Sequence, residues 1–259
     1  MKEKIGLVIT TFNSESYFKD LYNTIPFDRL DNVVVVNGGE PYKDVYDREN
    51  LHWIQHDHVQ YPCVARNDGL KYLLEEDVSH FFICEDDMLI KDVNIFDKYI
   101  SASKISGIQY FIYTSVAWDS GQKGERTPKA VVEYPDNTRI KFNYNMCNEF
   151  TYKTKNLIQN VGLYDENFRY LFDVDYAYRV SQYTHNPFWY FSDLLESDNL
   201  IDNNSEATSR LDAGGQRSSN LQPEHNKFYN KHGMYIGNIP SLNKNVLIDR
   251  LKDLRNNVR

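Results

Sequence analysis

Short apolar runs closed by polar or glycine-containing turns set the rhythm of the first third of the chain. Lys4-Ile5-Gly6-Leu7-Val8-Ile9-Thr10 reads as a buried strand, and Thr11-Phe12-Asn13-Ser14 supplies turn and N-cap signals for a helix from about Glu15 to Asn23. Asp31-Asn32-Val33-Val34-Val35-Val36 is a second strand, ended by Asn37-Gly38-Gly39-Glu40, where glycines permit a tight turn. Leu51 to Gln55 fits a third strand. Gln60 to Leu74 fits a helix with Pro62 in its first turn and Val64, Leu70, Leu73 and Leu74 on roughly one face. Phe81-Phe82-Ile83-Cys84 then runs into Glu85-Asp86-Asp87 and back to Met88-Leu89-Ile90. Continuous apolar runs, rather than alternation, mark strands covered on both faces, and their spacing with helices predicts an α/β fold with a doubly wound, mostly parallel sheet.

Beyond residue 91 the pattern is looser. A surface helix is expected over 92–106 and an aromatic strand over 107–116. An irregular loop or hairpin follows over 118–136, then a short helix over 154–161. Pro187-Phe188-Trp189-Tyr190-Phe191 reads as an aromatic strand or wall, and the polar stretch 193–215 suits a mobile flap. In the tail, Val246, Leu247, Leu251 and Leu254 recur at near-helical spacing, for packing back on the domain or for a homo-oligomer contact. The boundaries fall at 1–115, a ligand-binding half; 116–235, a second half of the same domain; and 236–259, a tail helix.

Composition narrows the class. With 41% hydrophobic and 25% charged residues in 259 positions, the chain folds rather than staying disordered. A net charge of -8 gives a nucleic-acid surface no electrostatic support. Cys63, Cys84 and Cys147, odd in number and widely spaced, read as reduced packing residues. With neither a secretory signal nor a long apolar stretch, the expectation is a cytoplasmic protein without an integral membrane segment.

The strongest chemical signal is Glu85-Asp86-Asp87 at the end of a buried strand, where open α/β sheets place ligands. Three adjacent carboxylates repel one another, and a hard divalent cation, Mg2+ or Mn2+, resolves that repulsion. An acidic turn capping the next helix explains the same residues equally well from local sequence. No glycine-rich phosphate loop accompanies the strands, which removes the usual support for hydride transfer and NTP hydrolysis.

Four features in order carry a resemblance: Ile9-Thr10-Thr11-Phe12-Asn13, Val36-Asn37-Gly38-Gly39, the Ala65-Arg66-Asn67-Asp68-Gly69 helix, and the strand ending in Glu85-Asp86-Asp87. Together they resemble the nucleotide-binding half of GT-A glycosyltransferases, family 2 in particular. The resemblance implies a Rossmann-like GT-A fold, hexosyltransferase-type activity and a nucleoside-diphosphate-sugar donor, UDP-sugar above all. By position it implies that Thr11, Asn13 and Asn37 face the nucleoside and Arg66 the base or diphosphate. Glu85 or Asp86 would meet the ribose or donor sugar, and Asp87 the Mn2+ or Mg2+. Asn37 stands where many members carry Asp.

Gly162-Leu163-Tyr164-Asp165-Glu166-Asn167-Phe168 also resembles the family segment that precedes the catalytic acid, which makes Asp173 the base acting on an acceptor hydroxyl, with inversion. A carboxylate in the first turn of a helix suits that role, and equally suits ordinary capping. Asp175 is expected to cap the helix or to fix Arg179 at i+4. Phe172 replaces the Glu common before the catalytic Asp. The family's C-terminal metal histidine has candidates in His225, His232 and His185, with His225 taken first. Arg210, Arg217 and Lys227 are candidates to meet a diphosphate. The acceptor is open among glycan, lipid-linked, protein and modified-base hydroxyls. A GT-A-like protein that only binds nucleotide or glycan, and a nucleotidyltransferase, are the alternatives.

Overall fold

The computed structural model describes residues 3–44, 46–113, 128–143, 149–184, 188–203, 221–243 and 245–250. Its centre is a six-stranded sheet. β1 (Ile5–Thr11) lies between β2 (Asn32–Asn37) and β4 (His80–Glu85), and β3 (Leu51–Gln55) flanks β2, all four parallel. Beyond β4 come β9 (Phe150–Thr154), antiparallel, and β6 (Tyr110–Tyr113). The sheet is therefore mixed and mostly parallel, as expected.

The valine run of β2 is covered on both sides. Val33 and Val35 join Leu7, Ile9 and Phe82 in one apolar layer with Phe18 and Leu21 of α1 (Glu15–Thr24) and Phe96 and Tyr99 of α3 (Ile95–Ser106). Val34 and Val36 join Val8, Phe81 and Ile83 in the other, under Leu70 and Leu73 of α2 (Pro62–Glu75), Leu157 of α4 (Lys155–Val161) and Tyr176 of α5 (Phe172–Tyr183). Alternate side chains of each central strand thus enter opposite layers, as the period of two requires.

Two smaller sheets complete the molecule. β7 (Ala130–Glu133), β8 (Arg139–Asn143) and β10 (Phe191–Leu194) are antiparallel, and β5 (Met88–Ile90) pairs with β11 (Ile201–Asn203). β7 falls in the 118–136 stretch expected to be a loop or hairpin, whose residues 118–127 lie outside the described ones, and it forms a hairpin with β8 beyond that stretch, closed where Tyr134 N–H bonds Thr138 O. The aromatic strand expected over 187–191 instead begins at Phe191, because Trp189 holds φ at 75° and breaks the extended run. The first residues of the expected flap, 193–194 and 201–203, are strand; its residues 204–215 lie outside the described ones.

α6 (Leu221–His232) packs Phe228 against α5, and residues 245–250 are helical with Leu247 buried in the first layer. No helix among the described residues is long and apolar enough to cross a membrane.

Candidate active site

The carboxyl ends of β1 and β4 and the start of α2 enclose a cavity of about 550 Å3, lined among others by Thr11, Phe12, Asn13, Gly38 and Glu85-Asp86-Asp87. Five of the expected site residues therefore share one cleft: Thr11, Asn13, Glu85, Asp86 and Asp87. Asn13 holds φ at 51°, and its Oδ1 accepts the Glu40 N–H at 2.9 Å. A Cβ on Gly39 would fall 2.3 Å from that oxygen, so the glycine is what lets the two loops meet.

Asn37 does not face the cavity. It is fully buried; its Nδ2 donates to Glu40 O (2.8 Å) and Gln55 Oε1 (3.0 Å), and its Oδ1 accepts Gly39 N–H (2.9 Å). Both donors of its amide and one acceptor site of its oxygen are spent shaping the turn after β2. The expected nucleoside contact is corrected on that ground.

Arg66 departs from expectation as well. It is 1% exposed, donates from Nη2 to Glu85 Oε1 at 2.7 Å and from Nη1 to Asp173 Oδ1 at 3.2 Å, and lies 5.2 Å from the Phe172 ring centroid. Burial works against its charge, and Asp173, Tyr164 and Glu85 outweigh that and keep it protonated. Its guanidinium is thus committed between two carboxylates rather than turned to a diphosphate. Phe172, the departure before Asp173, supplies a face of the guanidinium's enclosure.

The neighbours of Arg66 on α2 serve the same assembly. Asn67 pairs with the Tyr164 backbone on both sides, N–H to Oδ1 and Nδ2 to O, each at 2.9 Å, and also donates to Glu166. Gly69 lets α2 approach β1, since a Cβ there would lie 2.4 Å from Val8 Cγ1. The Ala-Arg-Asn-x-Gly motif is a structural tie between the two halves.

The acids diverge. Glu85 turns to Arg66, while Asp86 accepts a hydrogen bond from Thr11 Oγ1, whose oxygen also meets the Tyr42 hydroxyl. Burial pushes Glu85 up to about 8; Arg66 opposes the rise, and Asp87, Glu149 and Asp173 add to it. Yet 36% of the Glu85 side-chain surface is exposed, so solvent or a cation in the cavity draws that value down. Burial pushes Asp86 up to about 7, against the Thr11 hydrogen bond and with the Asp87 charge, and burial raises Asp87 too.

Asn203 of β11 opposes the rise at Asp87, and Asp87 Oδ1 and Asn203 Oδ1 are buried with no partner among the described residues. Unpartnered oxygens are hard donors, the kind a divalent cation takes. No group of three or more His, Cys, Asp and Glu side chains among the described residues is arranged to hold a metal. His225 accordingly has no such group to complete there, and it is half-buried on α6. His232 is committed to Asp175 at 2.8 Å; His185, Arg210 and Arg217 lie outside the described residues. Lys227 bonds Asn167 O and Glu224, away from the role expected of it.

Asp173 sits in the first turn of α5 with 21% of its side chain exposed. Asp175, fully buried, receives Arg179 Nε (2.9 Å), Lys231 Nζ (2.7 Å) and His232 Nε2 (2.8 Å), which bears out the Arg179 pairing and adds two partners from α6. Sequence reasoning missed Asn203, Glu224 and Lys153. The first two carry no local signal; Lys153, a charge inside an apolar strand, is one. Cys63 and Cys84 are buried free thiols raised by burial, the former to about 11, and Cys147 lies outside the described residues.

No protein-family model and no curated protein sequence matches the chain. Among solved structures it is similar to TarS of S. aureus, at 16% identity and a TM-score of 0.48, over 68% of this chain and 33% of that one. A Pyrobaculum calidifontis mannosyltransferase in complex with GDP-Man and Mn2+ matches at 11% identity and 0.46, over 70% and 52%. A 4-diphosphocytidyl-2C-methyl-D-erythritol synthase from Anaerococcus prevotii matches at 14% and 0.38, over 61% and 74%. The chain thus spans about a third of the first structure and half of the second.

Proposed function

We propose that this chain is a GT-A glycosyltransferase that moves a sugar from a nucleoside-diphosphate-sugar, a UDP-sugar in the first instance, to an acceptor hydroxyl with inversion. The observation that carries the reading is the Arg66 bridge: one guanidinium joins Glu85, on the rim of the cavity, to Asp173, the expected base. Residues 1–115 hold the donor, and residues 116–235 present the acceptor, a glycan, lipid-linked, protein or modified-base hydroxyl.

The described lining of the cavity holds three acids and neither Lys nor Arg, so a diphosphate enters only with a cation. Asp87 would hold Mn2+ or Mg2+ there, and the ion, when bound, would neutralise the leaving diphosphate. Asp173 takes the proton of the acceptor hydroxyl as that oxygen bonds the anomeric carbon and the bond from this carbon to the diphosphate oxygen breaks. Arg66 keeps Asp173 ionised and sets its distance from Glu85, which meets the donor sugar or ribose. Thr11 and Asn13 face the nucleoside from the opposite wall, and Asp86 is oriented by Thr11.

The test is turnover of a nucleotide-sugar panel with and without Mn2+. Asp173→Asn is expected to lower transfer by about 10²–10⁴-fold while leaving UDP binding intact. Asp87→Ala is expected to abolish the Mn2+ dependence of UDP binding in calorimetry. Unchanged transfer in Asp173→Asn removes the base assignment, and UDP binding without turnover of any donor replaces transfer with binding alone.

A further inference from the structure

The backbone that leads into Asp173 is held from another helix. Glu224 of α6 is 2% exposed, and its Oε2 accepts three consecutive backbone N–H groups: Arg169 at 2.8 Å, Tyr170 at 3.1 Å and Leu171 at 3.4 Å. Leu171 is the N-cap of α5, whose own side chain supplies no cap. The N–H groups of the segment that leads into α5, up to its N-cap, are therefore met by a carboxylate brought from 53 to 55 residues away. Lys227 holds the other oxygen of Glu224 and also donates to Asn167 O at 2.7 Å, while Lys231 reaches Asp165 and Asp175. One face of α6 thus touches the 165–171 segment at five backbone or side-chain points before Asp173.

We propose that Glu224 is a positioning residue for the base: its carboxylate fixes the Arg169–Leu171 backbone and so sets where Asp173 points. A capping residue that only stabilised the fold would have no need of this address. The three N–H groups it gathers end two residues before Asp173, and Arg66 fixes the carboxylate from the other side at 3.2 Å. Asp173 is therefore held by two buried charged groups from two different helices, one on its side chain and one on the backbone behind it. A misplacement of about 1 Å at a reacting group costs on the order of 10²-fold in rate. The proposal rests on the reading of Asp173 as the base.

Glu224→Gln and Glu224→Asp separate position from charge. The amide keeps the length and one oxygen acceptor, and is expected to keep kcat within about threefold of the parent. Aspartate keeps the charge but withdraws it by about 1.5 Å, one carbon–carbon bond. It is expected to lower kcat by at least about tenfold with the donor KM nearly unchanged. Amide hydrogen exchange at residues 169–171 should quicken in Glu224→Asp and stay slow in Glu224→Gln. Equal kcat in the two variants, or a fall in thermal stability with kcat retained in Glu224→Asp, overturns the proposal. If the parent transfers no sugar at all, the glycosyltransfer reading fails, and the exchange measurement still decides whether Glu224 fixes the 169–171 backbone.

Discussion

Two buried cations share the ring of Tyr164, and they have been treated in opposite ways. Arg66 has two carboxylates on its guanidinium and its Cζ lies 5.9 Å from the ring centroid. Lys153, on β9 and fully buried, lies 3.8 Å from the centroids of both Tyr164 and Tyr176, and its Nζ has no hydrogen-bond partner among the described residues. Burial, then the Arg66 charge, hold Lys153 well below its ordinary value, while Asp173 pulls the other way. A buried charge that finds carboxylates becomes a fastener between distant segments; one that finds only aromatic faces is pushed toward its neutral form.

The comparison breaks most visibly at Arg66. Arg66→Met leaves Glu85 and Asp173 without their shared cation, and a loss of roughly 3–5 kcal/mol in urea denaturation is expected, together with loss of transfer. A loss under about 1 kcal/mol would mean that the bridge is dispensable. Asn37→Asp sharpens the same lesson with a smaller effect. A carboxylate there faces Glu40 O and Gln55 Oε1 with nothing to donate, and the expected cost is on the order of 1–3 kcal/mol. Equal or greater stability would return the residue to the nucleoside-facing role.

Lys153→Met has the smallest and opposite effect, a gain on the order of 1 kcal/mol at neutral pH. The sign of its pH dependence follows from linkage. The folded chain releases the proton at a lower pH than the unfolded chain, whose value lies near the ordinary 10.5, so the unfolded chain binds more protons in between. The stability of the parent therefore rises with pH through that interval, and the gap to Lys153→Met narrows from pH 7 to pH 10. A gap that stays constant across urea titrations at those pH values would mean that Lys153 titrates normally.

Much of the first half was legible in the sequence because its strands are covered on both faces, and that demand writes itself as unbroken apolar runs such as Val33 to Val36. The same legibility extended to Thr11, Asn13 and the three acids, which occupy strand ends by the topology alone. Arg66 and Asn37 were found without their partners, and the partners decide what each side chain is free to do. Asp173 lies 107 residues from Arg66, and the seal on Asn37 needs Gln55 of β3. Glu224 left no trace in the sequence, since a buried carboxylate on a polar helix looks like any solvated one. β10 started later than its aromatic composition suggested because one backbone angle, at Trp189, outweighed the propensity of its neighbours.

The antiparallel strand next to the edge of the sheet also governs how the molecule is assembled. β6 spans Tyr110–Tyr113, and among the described residues it pairs within its sheet with β9, which begins at Phe150. Everything from β1 to β6 can emerge from a ribosome and still lack the strand that joins β6 to β4. Closing that gap is a long-range event, so the sheet is finished out of chain order and late in synthesis. A fragment cut at residue 115 would carry the acidic rim of the cavity with an unpaired strand beside it, so residues 1–115 do not close a sheet of their own.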